Sequence, residues 1–120
     1  MEKGYEIFTE SKVASVKIYE GKGAKYSGSF SVHIRPGSRS GYITSMVGAG
    51  MYKVLKDHGA EIFKELGVDR LDAQFTKSHA KLASHQLAGV FDLQITGKAD
   101  VIRGDQLYHV TITPCRVEVP

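Results

Sequence analysis

One stripe of apolar residues in the middle of the chain limits the fold more than any other feature. Ile43, Val47, Met51, Val54, His58, Ile62 and Leu66 recur every three or four residues, and Met46, Leu55 and Phe63 widen the stripe. That spacing predicts an amphipathic helix with one face against a core. Lys53, Lys56, Asp57, Glu61, Lys64 and Glu65 fall mainly off the stripe, and Gly67 stands where a helix takes its C-terminal glycine. The start is less sharply marked, because Gly48 and Gly50 would each cost about 1 kcal/mol against alanine inside a helix. A helix that begins near them leaves Tyr42 to Val47 as a strand leading into it.

The flanks of this helix read as β-structure. From Glu6 to Ile34 the chain is β in character, with Val13 to Tyr19 as one strand, a turn at Glu20 to Gly23, and Ser29 to Ile34 alternating polar and apolar residues. Arg35 to Gly41 is a loop by its Pro, Gly and Ser content. Beyond Gly67, Val68 to Phe75 alternates like a strand. Lys77 to Ala88 is a short helix with Ser78 as its N-cap and Gly89 as its stop. Val90 to Ile95 is a strand, Gly97 to Asp105 a turn-rich connection, and Leu107 to Thr113 a last strand ended by Pro114. The reading is α+β: one domain over residues 1–120, a mixed and mostly antiparallel sheet, a long central helix and a second short one.

Composition removes several function classes. With 120 residues, 42% of them hydrophobic, the chain holds enough apolar material for one modest core. No apolar run reaches membrane-spanning length, and Met1 to Glu6 has no apolar region of the kind a secretory signal needs. A single cysteine, Cys115, makes no internal disulfide, and the expected setting is soluble, reducing and cytoplasmic. The formal charge of +3 is spread along the chain, so a nucleic-acid surface is not expected, although the bias suits an anionic ligand. His33, His58, His79, His85 and His109 lie on separate elements or off a common helix face, and no zinc pattern is present.

One motif carries chemistry. Val47-Gly48-Ala49-Gly50-Met51 is a Gly-x-Gly at the strand-to-helix junction. Glycines there let a backbone approach a ligand closely, and a helix N-terminus offers free N–H groups and a favourable dipole to a pyrophosphate. The competing explanation is that the glycines allow close helix–sheet packing. The motif is neither a Walker A loop nor a complete dinucleotide fingerprint.

The order of elements adds to the motif. Gly48-x-Gly50, a long helix, Glu65-Leu66-Gly67, a strand, a short helix, Gly89-Val90-Phe91 and a closing strand resemble the core of GNAT-type N-acetyltransferases over Tyr42 to Thr113. In that family the acetyl-CoA loop has the form Arg/Gln-x-x-Gly-x-Gly/Ala. The resemblance implies that backbone groups of Val47, Gly48, Ala49, Gly50 and Met51 hold the pyrophosphate of acetyl-CoA, and that a strand edge at Tyr42 to Met46 positions the thioester. It implies acetyl transfer to an amine. It also places His85 where the family often has a catalytic Tyr, about four residues before the Gly of Leu-Gly-Phe.

The chain departs from the family in two places. Ser45 stands where the family has Arg or Gln, and Arg39 in the preceding loop is the candidate replacement, at a different spacing from Gly48. The N-terminal part is short for the usual first strand and helix pair. Two rivals follow. One is a hot-dog acyl-CoA thioesterase or binder, which requires strand instead of helix over Lys77 to Ala88. The other is a non-enzymatic assembly protein. A small sheet with few helices leaves an edge to cover, so a homodimer is expected under every reading.

Overall fold

The computed structural model describes residues 4–10, 12–19 and 26–115. Its elements are β1 Tyr5–Glu10, β2 Val13–Tyr19, β3 Tyr26–Ile34, β4 Ser40–Gly48, α1 Met51–Leu66, β5 Arg70–Thr76, α2 Lys77–Gln86, β6 Phe91–Ile102 and β7 Asp105–Pro114. The strands form one sheet in the order β1-β2-β3-β4-β5-β7-β6. Every neighbouring pair is antiparallel except β4 and β5, which run parallel because α1 carries the chain back between them.

The apolar stripe divides at the glycines. Gly50 takes a left-handed conformation (φ 97°) as N-cap and α1 begins at Met51, so Ile43, Met46 and Val47 belong to β4. Met51, Val54, Leu55, Ile62, Phe63 and Leu66 form the buried face of α1. Gly67 ends the helix at φ 71°, its N–H reaching the Lys64 and Phe63 carbonyls as a C-terminal glycine does.

Three expectations are corrected. Thr76, not Ser78, caps α2: it is extended and its Oγ1 accepts from the His79 N–H at 3.2 Å. Ser78 already lies inside the first helical turn. The supposed connection from Gly97 to Asp105 is mostly strand. Register shifts at Ile95/Gly97 and Lys98/Val101 let residues of low strand preference stay in the ladder with β7, and only Arg103 and Gly104 turn. The Gln106 amide holds this stretch by donating to the Ala99 carbonyl at 2.8 Å. The hot-dog arrangement drops out, because Lys77–Gln86 is helix. The turn expected at Glu20 to Gly23 lies outside the described residues.

Both helices cover the same side of the sheet. Val16 on β2, Phe30 and Val32 on β3, Ile43 on β4, Leu71 and Ala73 on β5, and Val110 and Ile112 on β7 share one buried cluster with α1 and α2. Burying each large apolar side chain contributes about 1.5–3 kcal/mol, which ties the helices to the sheet. The alternate positions, among them Ser15, Ser31, Tyr42, Asp72 and Thr111, point to the other face and are half-buried. Among the described residues no helix covers that face. β1 ends at Glu10 and β2 starts at Val13, too close for a helix pair between them. No described helix is long and apolar enough to cross a membrane.

Candidate functional site

The site begins where two parallel strands part. β4 and β5 pair only through Ser40–Arg70, Gly41–Leu71 and Tyr42–Asp72. Beyond that point each follows its other neighbour: β4 stays on β3 as far as Gly48–Gly28, and β5 stays on β7 as far as Thr76–Leu107. A β-bulge explains the parting. Ile43 faces Val32 and Ser45 faces Ser31, so Thr44 is one residue too many, and its hydroxyl donates to the Ser31 carbonyl at 3.4 Å. A bulge bends its strand and increases local twist, and here it swings β4 off β5. The fork encloses about 270 Å³ between Ile43–Met46 and Ala73–Thr76, with His79 and Leu107 also lining it.

The Gly-x-Gly loop closes one arm of the fork. Gly48 has φ 78°, and a Cβ there would lie 2.3 Å from the Ser27 carbonyl oxygen, so contact with β3 alone requires glycine. The Ala49 N–H is taken up by the Ser27 carbonyl at 3.2 Å. Gly50 has no side chain to cap α1, and the first turn of the helix holds no acid. The opening N–H groups of α1, at Met51, Tyr52 and Lys53, are those that a helix cannot satisfy internally. Within Val47 to Met51 the Ala49 N–H is thus already engaged by β3, and the unsatisfied donors of the junction are those of Met51, Tyr52 and Lys53.

Beside the fork, α1 and α2 are joined by a side-chain pair, in which His79 lines the fork and Tyr52 lies on the neighbouring groove between the helices. The Tyr52 hydroxyl hydrogen-bonds His79 Nε2, and the His79 ring stacks on Phe75 with centroids 4.4 Å apart. Burial pushes the Tyr52 phenol up to about 12 and holds the His79 imidazole below its ordinary value. At neutral pH, therefore, Tyr52 is a protonated phenol and His79 a neutral ring, and the imidazole tautomer sets which of the two donates. Neither residue stands out in the sequence. Tyr52 is one tyrosine of six, and the pair is separated by 27 positions.

The other two expected residues lie apart. His85 is exposed in the last turn of α2, on a groove shared with Tyr52, Lys53, Lys56 and Gln86, and it is not among the residues lining the fork. Arg39 is at the opposite end of β4 from Gly48, roughly 26 Å of extended strand away. Its Nε and Nη2 donate to the Asp69 carboxylate at 2.8 and 3.1 Å. That bond raises the Arg39 pKa and lowers that of Asp69.

No family model matches the chain, and no curated protein matches its sequence. Solved structures do match its shape. Nourseothricin acetyltransferase is similar with a TM-score of 0.62 and 16% identity, over 92% of this chain and 71% of that one. A spermidine N-acetyltransferase from Vibrio cholerae, solved with CoA and spermine, is similar at 0.64 and 10% identity, over 86% and 66%. The Campylobacter jejuni N-acetyltransferase PseH, solved with acetyl coenzyme A, is similar at 0.55 and 16%, over 87% and 70%. The chain spans about two thirds of the length of these proteins. Over the part of their length that it spans, this chain has the fold of the GNAT-type N-acetyltransferases.

Proposed function

We propose that the chain binds acetyl-CoA in the β4–β5 fork and transfers the acetyl group to an amine. The observation that carries this reading is the placement of an uncapped helix N-terminus at the mouth of a fork whose inner strand edge is open. Backbone N–H groups from Gly50 to Lys53 hold the pyrophosphate, aided by the α1 dipole. Lys53 and Lys56, on the groove between the helices, add positive charge for the remaining phosphate. The β4 edge from Ile43 to Met46, which has no partner strand on the fork side, orients the pantetheine amides. The thioester supplies an activated acetyl group: as the amine nitrogen bonds the carbonyl carbon and gives a proton to solvent water, the C–S bond breaks and a thiolate leaves.

This chain's residues manage orientation and protons. Ile43, Ala73 and Phe75 give part of the fork an apolar wall, beside the polar Thr44, Ser45, Gln74 and Thr76. With Nε2 protonated, His79 donates to the Tyr52 oxygen, which leaves the phenol proton free to pass to the departing thiolate, and solvent restores it. His85 is the rival acid. His79→Phe should lower kcat with little change in acetyl-CoA affinity, and a loss confined to His85→Phe would exchange the two roles.

Supporting this reading are the similar structures, two of which hold CoA or acetyl-CoA. A cytoplasmic setting fits the lone thiol of Cys115. A homodimer fits as well: β6 is an edge strand with Ile95, Val101 and Ile102 exposed. Calorimetric titration with acetyl-CoA, with CoA and ATP as controls, tests the proposal. Saturable binding near micromolar, about 8 kcal/mol, supports it, and no heat from any of the three leaves a non-enzymatic binding domain.

A further inference from the structure

The face of the sheet away from the helices carries a charged cluster at the root of the fork. Asp72 lies at its centre, with its side chain 17% exposed. Its Oδ1 accepts from the Thr111 hydroxyl at 3.0 Å, and its Oδ2 is paired with Arg35 Nη1. Arg35 also donates to Ser40 Oγ at 3.1 Å and lies over the Tyr42 ring. Arg70 reaches the same Oδ2 only at 3.5 Å, with half of its side chain exposed. Thr96 and His109 complete a groove of about 390 Å³.

Charge is not balanced in this groove. Two guanidinium groups share one carboxylate, and among the described residues Asp72 is the one acid within ion-pair distance of either arginine. Asp92, on the same face, stands opposite Thr113 on β6, two strands and about 10 Å from β5. One positive charge is left over, with the planar donors that favour a carboxylate. A single excess charge matches a carboxylate better than a phosphate, which carries nearly two negative charges at neutral pH.

Position gives the cluster a purpose. Tyr42–Asp72 is the last pair before the strands part, and Gln74, two residues further along β5, already lines the fork. We propose that this groove is the acceptor site and that it selects an amine carrying a carboxylate. The carboxylate docks on Arg70 and Arg35, and the amine end extends about 7 Å along β5 into the fork. Cofactor and acceptor then enter from opposite faces of the sheet. The acceptor role rests on the acetyl-transfer reading, whereas carboxylate binding stands without it.

The test is NMR titration of the 15N-labelled chain with glutarate, cadaverine and 5-aminopentanoate, which share a five-carbon length. Glutarate should move the Asp72 and Thr111 amides saturably, and cadaverine should bind at least tenfold more weakly. Arg70→Gln should weaken glutarate at least fivefold, and Lys64→Gln, on the far turn of α1, should not. 5-Aminopentanoate should move Thr44 and Gln74 as well. Equal or tighter cadaverine binding, or no change in Arg70→Gln, overturns the site. Shifts from 5-aminopentanoate confined to the arginines overturn the acceptor role. Acetyl-CoA added to the same sample separates the two readings, because its shifts belong at Met51 to Lys53. Glutarate binding without those shifts keeps the carboxylate site and removes acetyl transfer, and the reverse removes the carboxylate site alone.

Discussion

The two ends of the β4–β5 pair are made of the same strands and do opposite things. At the closed end three residue pairs meet, Leu71 of the middle pair is fully buried, and Arg35–Asp72 and Arg39–Asp69 link β5 and the turn before it to the loop between β3 and β4. At the open end the strands share no ladder, and side chains of mixed polarity face a gap. The closed end holds the geometry rigid and the open end leaves backbone groups unmatched for a ligand. A parallel pair only three residues long serves both purposes because the bulge at Thr44 ends it abruptly.

The contrast can be broken at either end, and the largest effect belongs to the closed one. Leu71→Ala should cost about 3 kcal/mol of stability in urea unfolding. Met46→Ala, a comparable truncation on the open arm, should cost under about 1 kcal/mol because that side chain is only half-buried. Equal losses would mean the fork is packed as tightly as its root. Asp72→Asn keeps a partner for Thr111 but removes the charge between the arginines. It should cost about 1–2 kcal/mol and leave acetyl-CoA binding unaltered by calorimetry.

At the open end, Ala49→Glu places a carboxylate on the exposed loop at the mouth of the helix. Acetyl-CoA affinity should fall at least tenfold, about 1.4 kcal/mol, while the melting temperature holds steady. An unchanged affinity removes the loop from the site. This is a cleaner probe than a bulky residue at Gly48, which would also collide with Ser27.

The smallest effect is a pH dependence. Burial lowers the folded pKa of His79 below the unfolded value near 6.5. The unfolded chain therefore binds more protons just below that pH. The His79 contribution is complete above about 6.5 and is lost as the pH falls through the folded pKa. Melting temperatures at pH 8 and pH 5.5 should differ less in His79→Gln than in the natural chain. An identical difference in both would show that the ring is not desolvated.

Much of the frame was readable because its signals are local. α1 ends where Gly67 says it should, β2 spans Val13–Tyr19 as read, and the helix at Lys77 separates this fold from its rival. The fork was not readable, since no local pattern records how many residues two strands separated by a helix remain paired. Gly48 was conspicuous, yet its first duty is contact with β3. Arg39 is near Gly48 in sequence, but an extended strand carries the two apart. The offset from Gly89 points to His85, whereas the histidine that lines the fork and meets a tyrosine of α1 is His79, brought there by the packing of α2 on α1. The ladder through Gly97 was missed because the Gln106 amide, not strand preference, holds that stretch.

Thr44 also governs how this chain is compared with its structural neighbours. At 10–16% identity an alignment has few fixed points, and the natural anchor is the Gly-x-Gly loop. Counting back from it without a gap, any chain lacking the extra residue falls out of phase before reaching Tyr42. Every position upstream on β4 is then assigned to the wrong side of the sheet, and residues of the helix-free face are mistaken for core. Superposition of backbones, not letter-by-letter matching, is the sound way to transfer a residue's role across that point.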